Sequence, residues 1–266
     1  AGAYESDIDV SFPSSQFNHA IVAVPLQSDT LWLECTSQTN PFGYVGDFTG
    51  DRHALMITDN GGKIVRTPAY TANDNLQSRT GDVFIEMSGN GKAKVMTTYR
   101  GLQYENGELN HIIKNQYDEQ KKWLQKNVKI PAFDVVQFTM VNNKRVIPSA
   151  VVNTELMLPR FATVSGKRIF LTPNLMNKST YIPEKLETRK TNIVLRMPFT
   201  DFDTIQYHLP EGIYPEFLPE KVTVKSRFGE YEAHYRLDQS QLIYVRKLKM
   251  NKGEFPAESY KEFTDF

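Results

Sequence analysis

"VTVKSRFGEYEAHYRLDQSQLIYVRKLKM", residues 222–250, alternates apolar and polar side chains through three runs separated by turn residues. In the first run Val222, Val224 and Phe228 fall on one side, with Lys221, Thr223, Lys225 and Arg227 on the other. In the second, Tyr231, Ala233, Tyr235 and Leu237 share a face. A period of two is the signature of a half-buried strand. Turns at Gly229 and at Asp238-Gln239-Ser240 then make this a three-stranded antiparallel meander. The reading places the meander at the heart of the core, with Val222, Val224, Tyr235, Leu237 and Tyr244 buried and Lys221, Thr223 and Lys225 in water.

The same pattern recurs upstream. HALMITDNGGKIVRTPAY and VFIEMSGNGKAKVMTTYRG each alternate around a Gly-rich turn and read as hairpins. FDVVQFTMV, AVVNTELML, KRIFLTP and TNIVLRMPF read as further strands. Only Leu109–Leu124 changes period: Leu109, Ile112, Ile113, Tyr117 and Leu124 fit one amphipathic helix, closed by Pro131. Pro256 and Glu258 suit the first turn of a terminal helix. The expected class is mainly β (α+β), an antiparallel β-sandwich-like unit with one helix packed on it. TANDNLQSRTGD, residues 71–82, is almost wholly polar and reads as a linker. It divides residues 1–70 from a β-rich unit spanning 83–266, which should fold alone, even in a chain starting near Gly81.

The chain has 266 residues, enough for a core that buries roughly 70–75% of the unfolded surface. Its 31 basic residues balance its 31 acidic ones, so it lacks the electrostatic footprint of a nucleic-acid binder. No apolar run is long enough to span a bilayer, and no signal peptide is visible at the start. Cys35 is the single cysteine, so no intrachain disulfide forms; it reads as a small buried hydrophobe.

The chemistry lies near the start. "FNHAIVAVPLQSDTLWLECTSQ", residues 17–38, is two short strands around a polar turn. In an antiparallel pair the numbers of facing residues have a constant total, here between about 53 and 55 by turn geometry. An odd total puts His19 and Glu34 on one face and Cys35 on the other; an even total separates the histidine from the glutamate. A carboxylate that orients an imidazole base is two-thirds of a nucleophilic device, and Cys35 cannot complete it from the wrong face.

"FNHAIVAV…TLWLECTSQTNPFG" resembles the end of the transglutaminase-like fold, in which a histidine strand and an acidic strand follow a helix carrying the catalytic cysteine. By that resemblance His19 is the family histidine, and Glu34 stands where the family usually has aspartate. Both are then a relic or partial catalytic pair whose nucleophile is expected upstream of this chain. "LPEGIYPEFLPEKV" with the meander and "GEFPAESYKEFTDF" resembles the C-terminal domain of unknown function of large bacterial exported proteins with a transglutaminase-like middle. The resemblance implies a fragment of such a protein in the periplasm or on the cell surface of a Gram-negative bacterium. Its partners would be the upstream domains of the parent chain, with self-association through the truncated domain as a further option.

Other motifs carry less. Asp47-Phe48-Thr49-Gly50-Asp51 alternates oxygen ligands but lacks the glycine and closing glutamate of a calcium loop. His53 beside Asp51 reads as a turn pair. His111, His208 and His234 show no zinc spacing, Asn177-Lys178-Ser179 is a bare glycosylation sequon, and no Gly-rich phosphate loop occurs. No cofactor or metal is therefore expected. The function expected is a non-catalytic accessory β region. The alternatives are part of a cysteine-dependent acyl-transfer or amide-hydrolysing enzyme, or a carbohydrate- or protein-binding sandwich.

Overall fold

A computed structural model describes residues 6–177, 183, 184, 186, 188–238 and 241–266. The chain opens with the hairpin β1 (Val22–Pro25) and β2 (Thr30–Leu33), the short helix α1 (Gly46–Thr49), and the hairpin β3 (His53–Thr58) and β4 (Gly61–Arg66). Two long strands follow, β5 (Leu76–Ile85) and β6 (Gly91–Arg100), then three helices: α2 (Leu102–Asn106), α3 (Leu109–Ile112) and α4 (Tyr117–Asn127). After β7 (Asp134–Asn143) and β8 (Ser149–Leu158) come the short strands β9 (Thr163–Ser165), β10 (Arg168–Phe170) and β11 (Ile193–Leu195). The chain ends with β12 (Phe199–His208), β13 (Val222–Lys225), β14 (Gly229–Asp238), β15 (Gln241–Met250), β16 (Gly253–Phe255) and α5 (Tyr260–Asp265).

The protein is mainly β, as the alternation predicts. One sheet dominates, in the order β13-β14-β15-β12-β5-β6-β8-β7, antiparallel throughout except where β12 runs parallel to β5. Inward positions alternate along each long strand: Val83 and Ile85, Ala93 and Val95, Leu156 and Leu158, Ile205 and Tyr207. Helical and irregular segments supplying Tyr104, Leu109, Leu124, Ile130 and Leu175 cover this face. The other face keeps Thr80, Asp82, Phe84, Lys94 and Met96 exposed. Gly89, at φ +82°, makes the β5–β6 turn; a Cβ there would lie 2.3 Å from the Ala162 carbonyl oxygen. A second small cluster of Ile193, Phe228 and Tyr260 anchors the terminal helix.

Four expectations change. Residues 71–82 are not a linker, because β5 starts at Leu76 and lies inside the large sheet, with Gln77 and Arg79 buried. The polarity of Asn75, Gln77 and Arg79 reflects buried hydrogen bonding, whereas Thr71, Asn73, Thr80 and Asp82 face water. The single helix Leu109–Leu124 is two: Gln116 is extended (ψ 156°) at the start of α4, and its neighbour Tyr117 turns out to stack on Phe138. The spacing survives the break because Tyr117 stands four positions after Ile113, a helical interval. The meander lies at the edge of the sheet, not its heart. There the cover is incomplete, so Val222 and Leu237 are each 46% exposed, and Val224 and Tyr235 half-buried; Tyr244, one strand further in, is buried. Lys221, Thr223 and Lys225 do face water. Cys35 is exposed rather than buried, because it lies two residues past the end of β2. The turn at 239–240 and the sequon residues 178–179 lie outside the described residues.

The placement of β5 has a measurable consequence. A truncation beginning at Thr71 keeps all eight strands of the sheet and should unfold in a single cooperative transition. One beginning at Gly81 loses Gln77 and Arg79 and leaves the buried Asp203 short of two hydrogen-bond donors. It should be less stable by about 3–5 kcal/mol. Urea unfolding followed by circular dichroism compares the two; equal midpoints would show that β5 does not depend on its first half.

Candidate functional site

β1 and β2 pair Val22 with Leu33 and Pro25 with Thr30, so facing residues total 55, an odd number. Continuing that register sets His19 diagonally across from Glu34, just beyond the ends of the two strands. His19 Nε2 lies 2.9 Å from Glu34 Oε2 and 3.2 Å from Oε1. The Glu34 side chain is only 3% exposed and that of His19 16%. The extra methylene of glutamate is accommodated, since the carboxylate meets the imidazole with both oxygens.

Glu34 is held from several sides. Thr36 donates to Oε1 from its backbone N–H (3.0 Å) and its hydroxyl (2.6 Å), and Thr49 reaches Oε2 at 3.2 Å. Burial opposes the charged carboxylate, but the hydrogen bonds from Thr36 and His19 outweigh it and hold the carboxyl below its ordinary value. Phe48 presents an edge-on contact to the His19 ring, with centroids 4.9 Å apart. With the proton on Nε2, shared with the carboxylate, Nδ1 keeps its lone pair. Nδ1 has no hydrogen-bond partner among the described residues.

α1 mounts this hairpin on the sheet. Glu105 of α2 accepts a hydrogen bond from the Asp47 backbone N–H and another from the Tyr44 hydroxyl, both at 3.3 Å. Gly46, at φ +66°, lets the carboxylate approach: a Cβ would lie 2.7 Å from each of its oxygens. Burial and the neighbouring Asp47 raise the Glu105 carboxyl above its usual value. Across the domain, Asp51 pairs with both Arg66 and Lys252.

His19 lines a cleft of about 680 Å³ shared with Phe17, Trp32, Leu55 and His53. Glu34 also lines a second, polar cleft of about 550 Å³, with Glu105, Asn110 and His111. His53 pairs with Asp7 (2.7 Å), not with Asp51, and so brings a second histidine to the His19 cleft. Cys35 lines neither; its Sγ lies 3.7 Å from the Leu33 carbonyl oxygen. His208 stacks on Phe84 and meets Asp82 at 2.9 Å, and His234 lies beside Glu232. Neither is near His19's cleft. Among the described residues no three His, Cys, Asp or Glu side chains cluster as metal ligands, and no helix is long and apolar enough to cross a membrane.

Sequence reasoning missed Thr36, Thr49 and Glu105, which a parity argument on two strands does not reach. It also missed a buried ionic cluster in the sheet. Asp203 accepts hydrogen bonds from Arg79 (3.1 Å), Arg246 (2.8 Å), Gln77 (3.3 Å) and Asn177 (2.7 Å). A signal existed: in "FTDFDTIQYH" Asp201 and Asp203 share parity with the apolar Ile205 and Tyr207.

Residues 167–266 match the family model DUF3858, a domain of unknown function with a solved structure. The match falls within residues 83–266, the stretch the sequence set apart as a domain of unknown function, and covers its C-terminal part. It begins between β9 and β10, so β5 to β8 of the same sheet lie outside it. No curated protein and no solved structure matches the chain.

The lowered Glu34 pKa fixes the sign of a pH effect. The stabilisation is complete above the unfolded value near 4.5 and is lost as pH falls through the lower folded value. Glu34→Gln should cost about 1–2 kcal/mol at neutral pH and remove this contribution from the acid limb. Thermal melts between pH 3 and 7 check it. An unchanged acid limb would mean that the pair does not stabilise the fold.

Proposed function

We propose that the chain is an accessory β region of a larger transglutaminase-like protein, inert by itself. In this reading it presents His19 and Glu34 as the base and orienting carboxylate of a cysteine-dependent centre for acyl transfer or amide hydrolysis. The observation that carries the reading is the two-oxygen grip of Glu34 on His19 Nε2, which leaves Nδ1 with an available lone pair. A thiol beside Nδ1 would lose its proton to the imidazole and attack an acyl carbon as thiolate; the imidazolium would then return the proton to the leaving amine. Cys35 does not serve, being exposed and outside the His19 cleft. The thiol therefore belongs to another segment of the parent chain. Trp32, Phe17 and Leu55 give the cleft apolar walls that suit a substrate side chain. The rest of the chain supports the hairpin through α1 and Glu105. A periplasmic or cell-surface location goes with this resemblance.

Two measurements test the proposal. The chain by itself should show no turnover of glutamine or peptide amides, and Cys35→Ser should change nothing; steady turnover abolished by Cys35→Ser would overturn the assignment. In the longer protein, His19→Ala should abolish thiol-dependent turnover and Glu34→Gln should lower kcat by about 10²-fold. Full activity without the histidine would end the catalytic reading.

A further inference from the structure

We propose that a cleft over the polar half of the large sheet, remote from His19, binds an organic carboxylate through Arg246. The cleft has a volume of about 460 Å³, with Arg79, Arg246 and Asp201 in its lining and Tyr99, Trp123 and Leu248 among its walls. The two arginines differ in how they are used. Arg79 uses all three of its nitrogens: Nε donates to Thr97 (3.1 Å), Nη1 to Asp203 (3.1 Å) and Nη2 to Gln77 (3.3 Å). Arg246, with a side chain only 7% exposed, makes one hydrogen bond, from Nη1 to Asp203. Its Nε and Nη2 have no partner among the described residues, yet neither is a sealed, orphaned atom. They are the unused donors of a guanidinium that lies over the Tyr231 ring, 5.9 Å from its centroid, in a side chain that lines the cleft.

A guanidinium so deeply buried ordinarily has its donors filled, since an unsatisfied buried donor is costly. An open Nε–Nη2 edge is a fork that matches two coplanar oxygens, the geometry of a carboxylate. Charge agrees with shape. Asp203 sits behind the two guanidiniums and neutralises one of their two charges. Lys129 adds a positive charge to the lining. The acid in the lining itself is Asp201, 3.9 Å from Arg246 Nη1 and held by Gln103 at 2.8 Å. Burial pushes its carboxyl up to about 6, with Asp203 adding to the rise and Arg246 and Arg79 opposing it. When Asp201 is protonated, one anion on Arg246 neutralises the charge left in the Arg79–Arg246–Asp203 cluster, and Lys129 remains as a further attraction. The aromatic and aliphatic walls select a small acid with an apolar body.

The probe is phenylacetate, titrated into the intact chain by calorimetry and by tryptophan fluorescence, because Trp123 lines the cleft. Saturable binding is expected, at least about tenfold tighter than for the uncharged phenylacetamide. It should also exceed that of inorganic phosphate, and strengthen as pH falls from 7.5 through 6, since proton uptake by Asp201 removes a competing charge. Arg246→Lys should weaken binding about tenfold or more, because an ammonium lacks the fork. Asp201→Asn, which leaves the Asp203 network intact, should tighten binding near pH 7.5 and abolish its pH dependence. No saturation by about 10 mM, equal binding of the amide or of phosphate, or an Asp201→Asn variant indistinguishable from the parent would each overturn the proposal.

Discussion

The carboxylate of Asp203 is the constraint on which the sheet depends. It sits on β12 and accepts hydrogen bonds from Arg79 and Gln77 on β5, from Arg246 on β15, and from Asn177. These strands are consecutive in the sheet, and the β5–β12 junction is its single parallel pairing. That junction joins strands more than a hundred residues apart in sequence. A buried ion pair adds little net stability compared with a well-packed apolar core, but breaking one partner leaves a stranded charge at a cost of about 3–5 kcal/mol. Arg79 can meet Asp203 only if β5 and β12 lie side by side in one register. A one-residue slip would turn Asp203 out to solvent and bury the neighbouring Phe202 or Thr204 position instead.

The same sheet carries two chemically different sites by two different means. The His19–Glu34 pair belongs to a short hairpin with no place in the large sheet, and it is located through α1. That helix is held by Glu105, whose approach needs a glycine at position 46. Position is thus passed from α2 through Glu105 to α1, then from Thr49 to Glu34 and from Glu34 to His19. The arginine cleft needs no such relay, because its groups stand directly on the strands. A site built on strands is held more rigidly than one carried by loops.

Electrostatics separates the two sites further. Glu34 is kept charged by Thr36 and His19 in spite of its burial, which suits a group whose task is to hold an imidazole. Asp201 goes the other way: desolvation and the charge of Asp203 bring its titration to near 6, within reach of modest pH changes. The difference lies in donors. Glu34 receives three hydrogen bonds besides that of His19, whereas Asp201 receives one, from Gln103.

By itself the sequence determined whatever depends on residues close together along the chain. Period-two alternation marked the hairpins around Gly61–Gly62 and Gly89–Gly91 and the meander of Val222–Met250, and strand parity tied the placing of His19 and Glu34 to an odd total, which the structure then supplied as 55. These relations hold because a pleated strand alternates its faces whatever lies beyond it. Only the tertiary structure decided the rest. Residues 71–82 look like a linker until β12, from far along the chain, gives Gln77 and Arg79 an acid to bind. Val222 and Leu237 look like core until the cover proves to end short of the sheet's edge. Alternation tells which residues share a face, but not which face is covered or which strand is outermost; those follow from non-local pairing, whose energy lies in contacts between distant segments.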